Sequence, residues 1–415
     1  QSAELTVGAT STFTTSASDG TITLNDADNT FTGAVALNTN GSSGNATIKN
    51  DRALLFAAST VGGALIATAT AGNITQNGAL DIEGTTTLVT TGQGATIDLV
   101  TNGSGNAFTS ELLITTNETN SDKDAHVSID GGDTNLIIGT STIDGNLALR
   151  SGGTITDTDS STVTVRGTLT ATTDASHRVI TLDELAVDGA FTLAPHGTGA
   201  VTIVNDAGLN LAASTMGGTF SGTATTGDIS DSGNLAITGA ATFITTANNR
   251  SIILDQSGNA FTSTVTMQAG NGSAAFNNIT FVDSADVRLH SSAASAGDLY
   301  INAGTDLAVG GNLSITATTG HITQGGALDI EGTTTLVTLA DNGTIDLKVN
   351  SIVNAFTGKL LITTNDTGSE TDGDVEIDGG DTNLIIGAST IDGDLTLTSG
   401  GTITDDGIAT VRGTL

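Results

Sequence analysis

The chain has 415 residues, 44 acidic against 11 basic side chains, a formal net charge of −33, no cysteine and one proline. That charge repels phosphate backbones and anionic lipid, which argues against nucleic-acid binding and membrane insertion. No disulfide can hold the fold, no run reaches the roughly 20 apolar residues of a membrane span, and the 54 glycines lack the three-residue period of collagen.

Gln1 opens no basic-then-apolar leader, so the stretch reads as mature secreted protein or as an interior piece of a longer chain. From Leu5 onward the sequence repeats itself. Residues 79–90, ALDIEGTTTLVT, return letter for letter at 327–338, and IDGGDTNLIIG at 129–139 returns at 377–387. A second pair matches 54–80, LLFAASTVGGALIATATAGNITQNGAL, with 209–235, LNLAASTMGGTFSGTATTGDISDSGNL. Matching positions divide the chain into units 5–79, 80–162, 163–234, 235–327 and 328–408, with a sixth starting at 409–415. A repeat this long decides architecture before local propensity does.

Each unit carries the same signals in the same order. An apolar-x-apolar pair opens it, as Leu80/Ile82 and Leu235/Ile237 do. An I-x-L run follows, at Ile22/Leu24, Ile97/Leu99, Ile180/Leu182, Ile252/Leu254 and Ile345/Leu347. Then comes N-[AT]-F-T-[GS] at 29–33, 106–110, 259–263 and 354–358, with Gly189 in place of Asn and Phe191-Thr192 kept in unit three. Later come NLIIG or its relative and a GxIT run. The runs are short and alternating, rich in Thr, Val, Ile and Phe, and punctuated by Gly, Asn, Asp and Ser, which is the pattern of strands and turns. No window sustains a helical period.

The fold class predicted is all-β: one continuous parallel β-helix, or β-solenoid, of about 20 coils of roughly 20 residues each, forming a rod about 100 Å long at about 4.8 Å per coil. Unit four is the longest, and its excess over unit one predicts one whole inserted coil. Phe31, Phe108, Phe191, Phe261 and Phe356 are expected in the core, their Asn partners bonding neighbouring coils or turn backbones. Pro195 is expected in a turn beside His196-Gly197, because a paired strand has no place for a missing N–H.

The phrases GNITQNGALDIEGTTTL (72–88), GTIDL (343–347), NAFTG (354–358) and DGDLTLTSGGTITD (392–405) resemble the repeats of large secreted bacterial adhesins of the filamentous-haemagglutinin type. The resemblance spans essentially the whole chain. It implies a right-handed β-helical rod on the bacterial cell surface, a structural stalk or fibre segment without catalysis. Partners would be neighbouring repeats, identical subunits end to end, or a host-surface, cell-surface or polysaccharide target. No match to the family's secretion domain is present. Two alternatives remain open: a filament subunit that stacks end to end, and a carbohydrate-processing β-helix enzyme.

Residues that could carry chemistry are sparse. His126, His177, His196, His290 and His321 fall at unrelated points of the repeat, without metal-ligand spacing. The carboxylate pairs Asp26/Asp28, Asp122/Asp124, Asp157/Asp159 and Asp372/Asp374 sit between runs, where Asp is a turn former. Two of those pairs are equivalent in units two and five, as structural features are and a single active site is not. No catalytic, cofactor-binding or metal residue is assigned. Calcium at the Asp-rich turns stays an open expectation, since DGGDTN at 130–135 and 378–383 lacks the spacing of known calcium loops. The scattered T-x-T runs, such as Thr21/Thr23 and Thr85/Thr87, are outward strand residues rather than a water-ordering array.

Overall fold

The computed structural model describes residues 1–117, 122–269, 278–285, 287–290, 298–301, 307–348, 353–365 and 372–415. Among them the chain is all β, with parallel strands wound as a β-solenoid. Among the described residues the one helical element is a single 3-10 turn, Gly103–Gly105, and no helix is long and apolar enough to cross a membrane. The chain divides into two compact units, Gln1–Asp206 and Ala207–Leu415.

In the first unit each strand hydrogen-bonds to the strand one coil before and one coil after, so the sheets are vertical ladders. One ladder steps from Ile22 to Ala46 to Leu65 to Thr86 to Leu112. Strands alternate inward and outward residues: Ala46, Ile48 and Asn50 of Ala46–Asn50 are buried, while Thr47 and Lys49 are only partly so. Burying each inward Ile, Leu or Val contributes about 1.5–3 kcal/mol. The predicted phenylalanines are inside: Phe31, Phe108, Phe191, Phe261 and Phe356 are all buried. In the second unit the rings of Phe220, Phe243, Phe261 and Phe281 lie 5.2, 6.1 and 5.1 Å apart in succession, an aromatic column through consecutive coils. Pro195 follows the strand Ala190–Ala194 and leads into a turn at Gly197, whose φ is +65°.

Each coil has two sides, and they come in two kinds. A straight side is one strand, such as Thr86–Thr90. A bent side is two short strands meeting at an angle, such as Leu54–Phe56 followed by Ser59–Val61. Straight strands stack on bent pairs: Val35 of the strand Val35–Asn40 partners Phe56, while Asn38 partners Thr60. Unit one runs through Ser11–Ser18, a bent side at 22–31, Val35–Asn40, Ala46–Asn50, a bent side at 54–61, Leu65–Ala69 and a bent side at 74–82. Seven sides make three and a half coils, so the next repeat starts on the other ladder. Thr86–Thr90 stacks on Leu65–Ala69, whereas its equivalent Leu169–Thr173 stacks on Leu147–Ser151 in the opposite ladder.

The structure corrects three expectations. The winding makes about 16 turns rather than about 20, because a coil is defined by hydrogen-bond register and its corners absorb loops. The step is 19 residues from Ala46 to Leu65 but 30 from Ile97 to Val127. Second, the extra length of unit four is no whole coil. Asp298–Ile301 lies between Val265–Ala269 and Val287–His290 in one ladder, while the other steps directly from Ile279 to Leu313. Third, Phe191 is not the counterpart of Phe108. Phe108 stacks on Ile82, and the residue stacked equivalently in unit three is Val187, on Val165; Phe191 stacks on Leu169 as Leu112 does on Thr86.

Close coil stacking explains the glycines better than flexibility does. At one corner Gly167 N–H donates to Gly145 C=O at 2.9 Å, and Gly189 N–H to Gly167 C=O at 3.0 Å. A Cβ on Gly189 would lie 2.3 Å from the Gly167 carbonyl oxygen, whereas one on Gly8 would meet nothing within 4 Å. Gly189→Ala is therefore expected to destabilise the first unit by about 1–3 kcal/mol, and Gly8→Ala to leave it within about 0.5 kcal/mol. Urea denaturation of both variants checks the difference.

Candidate functional site

The polar residues that the fold buries lie at the corners and bends, where the main-chain ladder is interrupted. At a bend the backbone groups of two short strands lose their regular partners, and an unpaired buried group costs about 1–3 kcal/mol. The Asn of each N-[AT]-F-T motif answers that loss, as its sequence context predicts. Asn106 Oδ1 accepts the Leu80 N–H at 2.8 Å, in the coil before. Asn106 Nδ2 donates to Leu99 C=O at 3.2 Å in its own coil and to Asp130 C=O at 2.8 Å in the coil after. One side chain therefore ties three coils. Asn354 repeats the arrangement with Leu328, Leu347 and Asp378, and Asn259 Oδ1 accepts from Leu235 N–H at 2.8 Å.

Each of these asparagines also meets a polar side chain at the end of the GxIT run. Gln76 and Asn106 exchange two amide hydrogen bonds, Nε2 to Oδ1 at 2.9 Å and Nδ2 to Oε1 at 3.1 Å. Gln324 pairs in the same way with Asn354, and Gln1 with Asn29. In unit four the partner is a carboxylate: Asn259 Nδ2 donates to Asp231 Oδ2 at 2.6 Å. At the end of unit two the position holds Asp157, whose two oxygens accept Asp183 N–H at 3.1 Å and Glu184 N–H at 2.9 Å from unit three. That contact pins the irregularity between Leu182 and Leu185. Burial raises the Asp157 carboxyl to about 6 against those stabilising N–H contacts.

A second bend in four of the units is closed by a serine that the sequence did not single out. Ser59 Oγ accepts Leu37 N–H at 3.0 Å from the coil before and donates to Ala57 C=O at 2.9 Å. Ser141 does so with Ile114 and Gly139, and Ser389 with Ile362 and Gly387. The signal was present as Ser-Thr at the same place in four units.

Two of the histidines, His126 and His321, share a role. A residue just before a strand accepts, through its side chain, the N–H at the same place one coil later. Asn73 does this for Thr96, Asn146 for Thr168 and Asn312 for Thr333, at 2.9, 2.9 and 2.8 Å. His126 Nδ1 accepts Asn146 N–H at 2.9 Å, and His321 Nδ1 accepts Thr344 N–H at 3.0 Å. GHITQ at 320–324 is GNITQ at 72–76 with His in the acceptor position. His177 and His196 lie at a neighbouring corner, against Thr198 Oγ1 and Ser176 Oγ. The side chain of His290 lies outside the described residues.

The carboxylate pairs do not converge. Asp26 Oδ1 accepts Asp28 N–H, Asp124 N–H donates to Asp122 C=O, and Asp374 Oδ1 accepts Asp394 N–H. In the DGGDTN loops Asp130 and Asp378 accept Gly132 N–H and Gly380 N–H, closing tight turns. Asp144, fully buried, pairs with Arg166, and Asp392 pairs with Arg412 at the equivalent place. Among the described residues no three His, Asp or Glu side chains gather as a metal site. Two open corner grooves exist, one lined by Val89, Thr90, Thr115, Thr116, Asn117 and Thr142, the other by Gly310, Gly311, Asn312 and Glu331 with their neighbours. Neither brings a carboxylate pair or a histidine together.

Asn106→Ala leaves the Leu80 N–H and two carbonyls without their buried partner and is expected to cost about 3 kcal/mol or more. His321→Asn keeps the acceptor and is expected to stay within about 0.5 kcal/mol, while His321→Ala loses about 1 kcal/mol. Shifts in urea midpoint report all three.

No curated protein and no solved structure matches the chain. One repeat family does, over residues 1–38, 43–115, 124–194, 198–268, 284–363 and 372–415. By that coverage the chain belongs to the family described as repeats of unknown function (DUF5649).

Proposed function

We propose that the chain is a non-catalytic structural segment, a β-solenoid stalk or fibre piece of a large extracellular bacterial surface adhesin. One observation carries this reading. Buried polar side chains such as Asn106, Gln76 and Ser59, with their equivalents in other units, bond neighbouring coils, and among the described residues no group converges with another for chemistry. Duplicated features of this kind serve continuity, and a repeat array gains length by adding copies. The resemblance of GNITQNGALDIEGTTTL and NAFTG to filamentous-haemagglutinin repeats supports the extracellular setting. The net charge of −33 fits a spacer that stays dispersed and resists lateral association.

Electron microscopy of the chain and of a version lacking residues 80–162 tests the proposal. Rods whose contour shortens by about 17 Å, three and a half coils at about 4.8 Å each, are expected. Compact particles with no change in length would overturn it. Concentration-dependent filaments would favour the end-to-end subunit instead.

A further inference from the structure

Two inward positions recur at one corner of every unit. The first is the end of the GxIT run, occupied by Gln76, Asp157, Asp231, Gln324 and Asp405. The second is the inward position at the end of the second strand after the N-[AT]-F-T motif, occupied by Asn50, Asn205 and Asp283, with Gly131 and Gly379 at the matching place in units two and five. Where the second position is Asn, it makes a reciprocal pair with backbone one coil earlier. Asn50 accepts Phe31 N–H at 2.8 Å and donates to Phe31 C=O at 3.0 Å. Asn205 does the same with Val187 at 2.8 and 2.9 Å. Only where unit three runs into unit four do carboxyls occupy both positions of one corner, Asp231 and Asp283, each with its pKa raised by burial. Asp283 accepts Phe261 N–H at 3.1 Å but, ionised, has no proton to return to the carbonyl. Asp231 accepts from Asn259 and from the Asp255 and Gln256 N–H groups, which hold its pKa down against burial, but it cannot return the second amide bond that Gln76 gives Asn106. The two flank one motif: Asn259 touches Asp231, Phe261 touches Asp283, and Ser284 N–H donates to Asn259 C=O at 2.8 Å.

We propose that the corner formed by Asp231, Asn259, Phe261 and Asp283 is a proton-dependent clasp, closed when the two carboxyls are protonated and loosened when they ionise. A protonated carboxyl is a donor and an acceptor at once, which restores the bonding that Asn50 and Gln76 provide in other units. Both groups are almost fully enclosed, at 7% and 4% exposure. Burial raises Asp283 to about 6 and raises Asp231 as well, in each case as the largest cause. The charged group facing Asp231 is Asp255, which raises it further. Among the described residues no charge contributes at Asp283, where the remaining influences are N–H groups of Phe261, Ser284 and Ala285. The coil after it, at 313–320, has no charged residue; Asp286 and the side chain of Arg288 follow Asp283 outside the described side chains. A carboxyl whose folded pKa lies above its ordinary value binds protons more tightly when folded. Its stabilising effect is complete below the ordinary value near 4 and is lost as pH rises through about 6.

Hydrogen exchange of the full chain at pH 5 and pH 7.5, normalised for intrinsic exchange, reads the clasp. Amides of Ile229–Asp231, Ala260–Phe261 and Ile279–Asp283 are expected to be about tenfold better protected at pH 5. Amides around Gln76–Asn106 and Gln324–Asn354 should keep the same protection at both values. The double variant D231Q/D283N should abolish the difference and hold the pH 5 level at pH 7.5. Equal wild-type protection at the two pH values would overturn the proposal, as would a difference that persists in the double variant. If the double variant does not fold, the wild-type contrast between the unit-four corner and the two amide corners decides alone.

Discussion

The structure depends on one constraint: every backbone N–H and C=O that the winding buries must find a partner in the coil above or below. Along straight strands the ladder supplies that partner automatically, and the side chains need only be apolar and in register. At bends and corners it does not, and there the chain turns to amides, hydroxyls and imidazoles. Asn106, Ser59 and His321 are different residues solving one problem, each bonding a main-chain group roughly one coil away. The near absence of proline and the abundance of glycine follow from the same rule, one because it removes a donor and the other because it permits backbone to approach backbone.

The strands, their parallel stacking and the core were legible because inward and outward residues alternate so regularly in runs such as Ile97-Asp98-Leu99. The tying role of the asparagines was legible too, since a polar residue beside a recurring Phe in four of the units needs a buried partner. Coil number was not legible. Sequence spacing measures chain length, whereas register alone says where one turn ends, and the loop between Leu99 and Ala107 hides that point. The same difficulty misaligned Phe191 with Phe108: the letters match, but Asp183 and Glu184 take up the residues that the Asn loop uses elsewhere.

The inward acceptors escaped notice for a different reason. Gln76, Asp231 and Asp283 end their strands, so they read as the first polar residues of a turn. Their parity with Ile74, Ile229 and Ile279 puts them inside. A polar residue in step with the apolar positions is a buried one, and in a solenoid it faces either another side chain or a bare backbone group. The histidines were hidden by rarity, since an imidazole that substitutes for asparagine reveals itself only when the hydrogen-bond partner is seen.

The mismatch between the genetic repeat and the geometric turn has its own consequence. Because a copy ends half a revolution from where it began, gaining or losing one copy swings every later side chain to the opposite flank, while gaining or losing two restores the original aspect. Within the first compact unit, equivalent positions two copies apart therefore share a flank, about 34 Å apart at about 4.8 Å per turn.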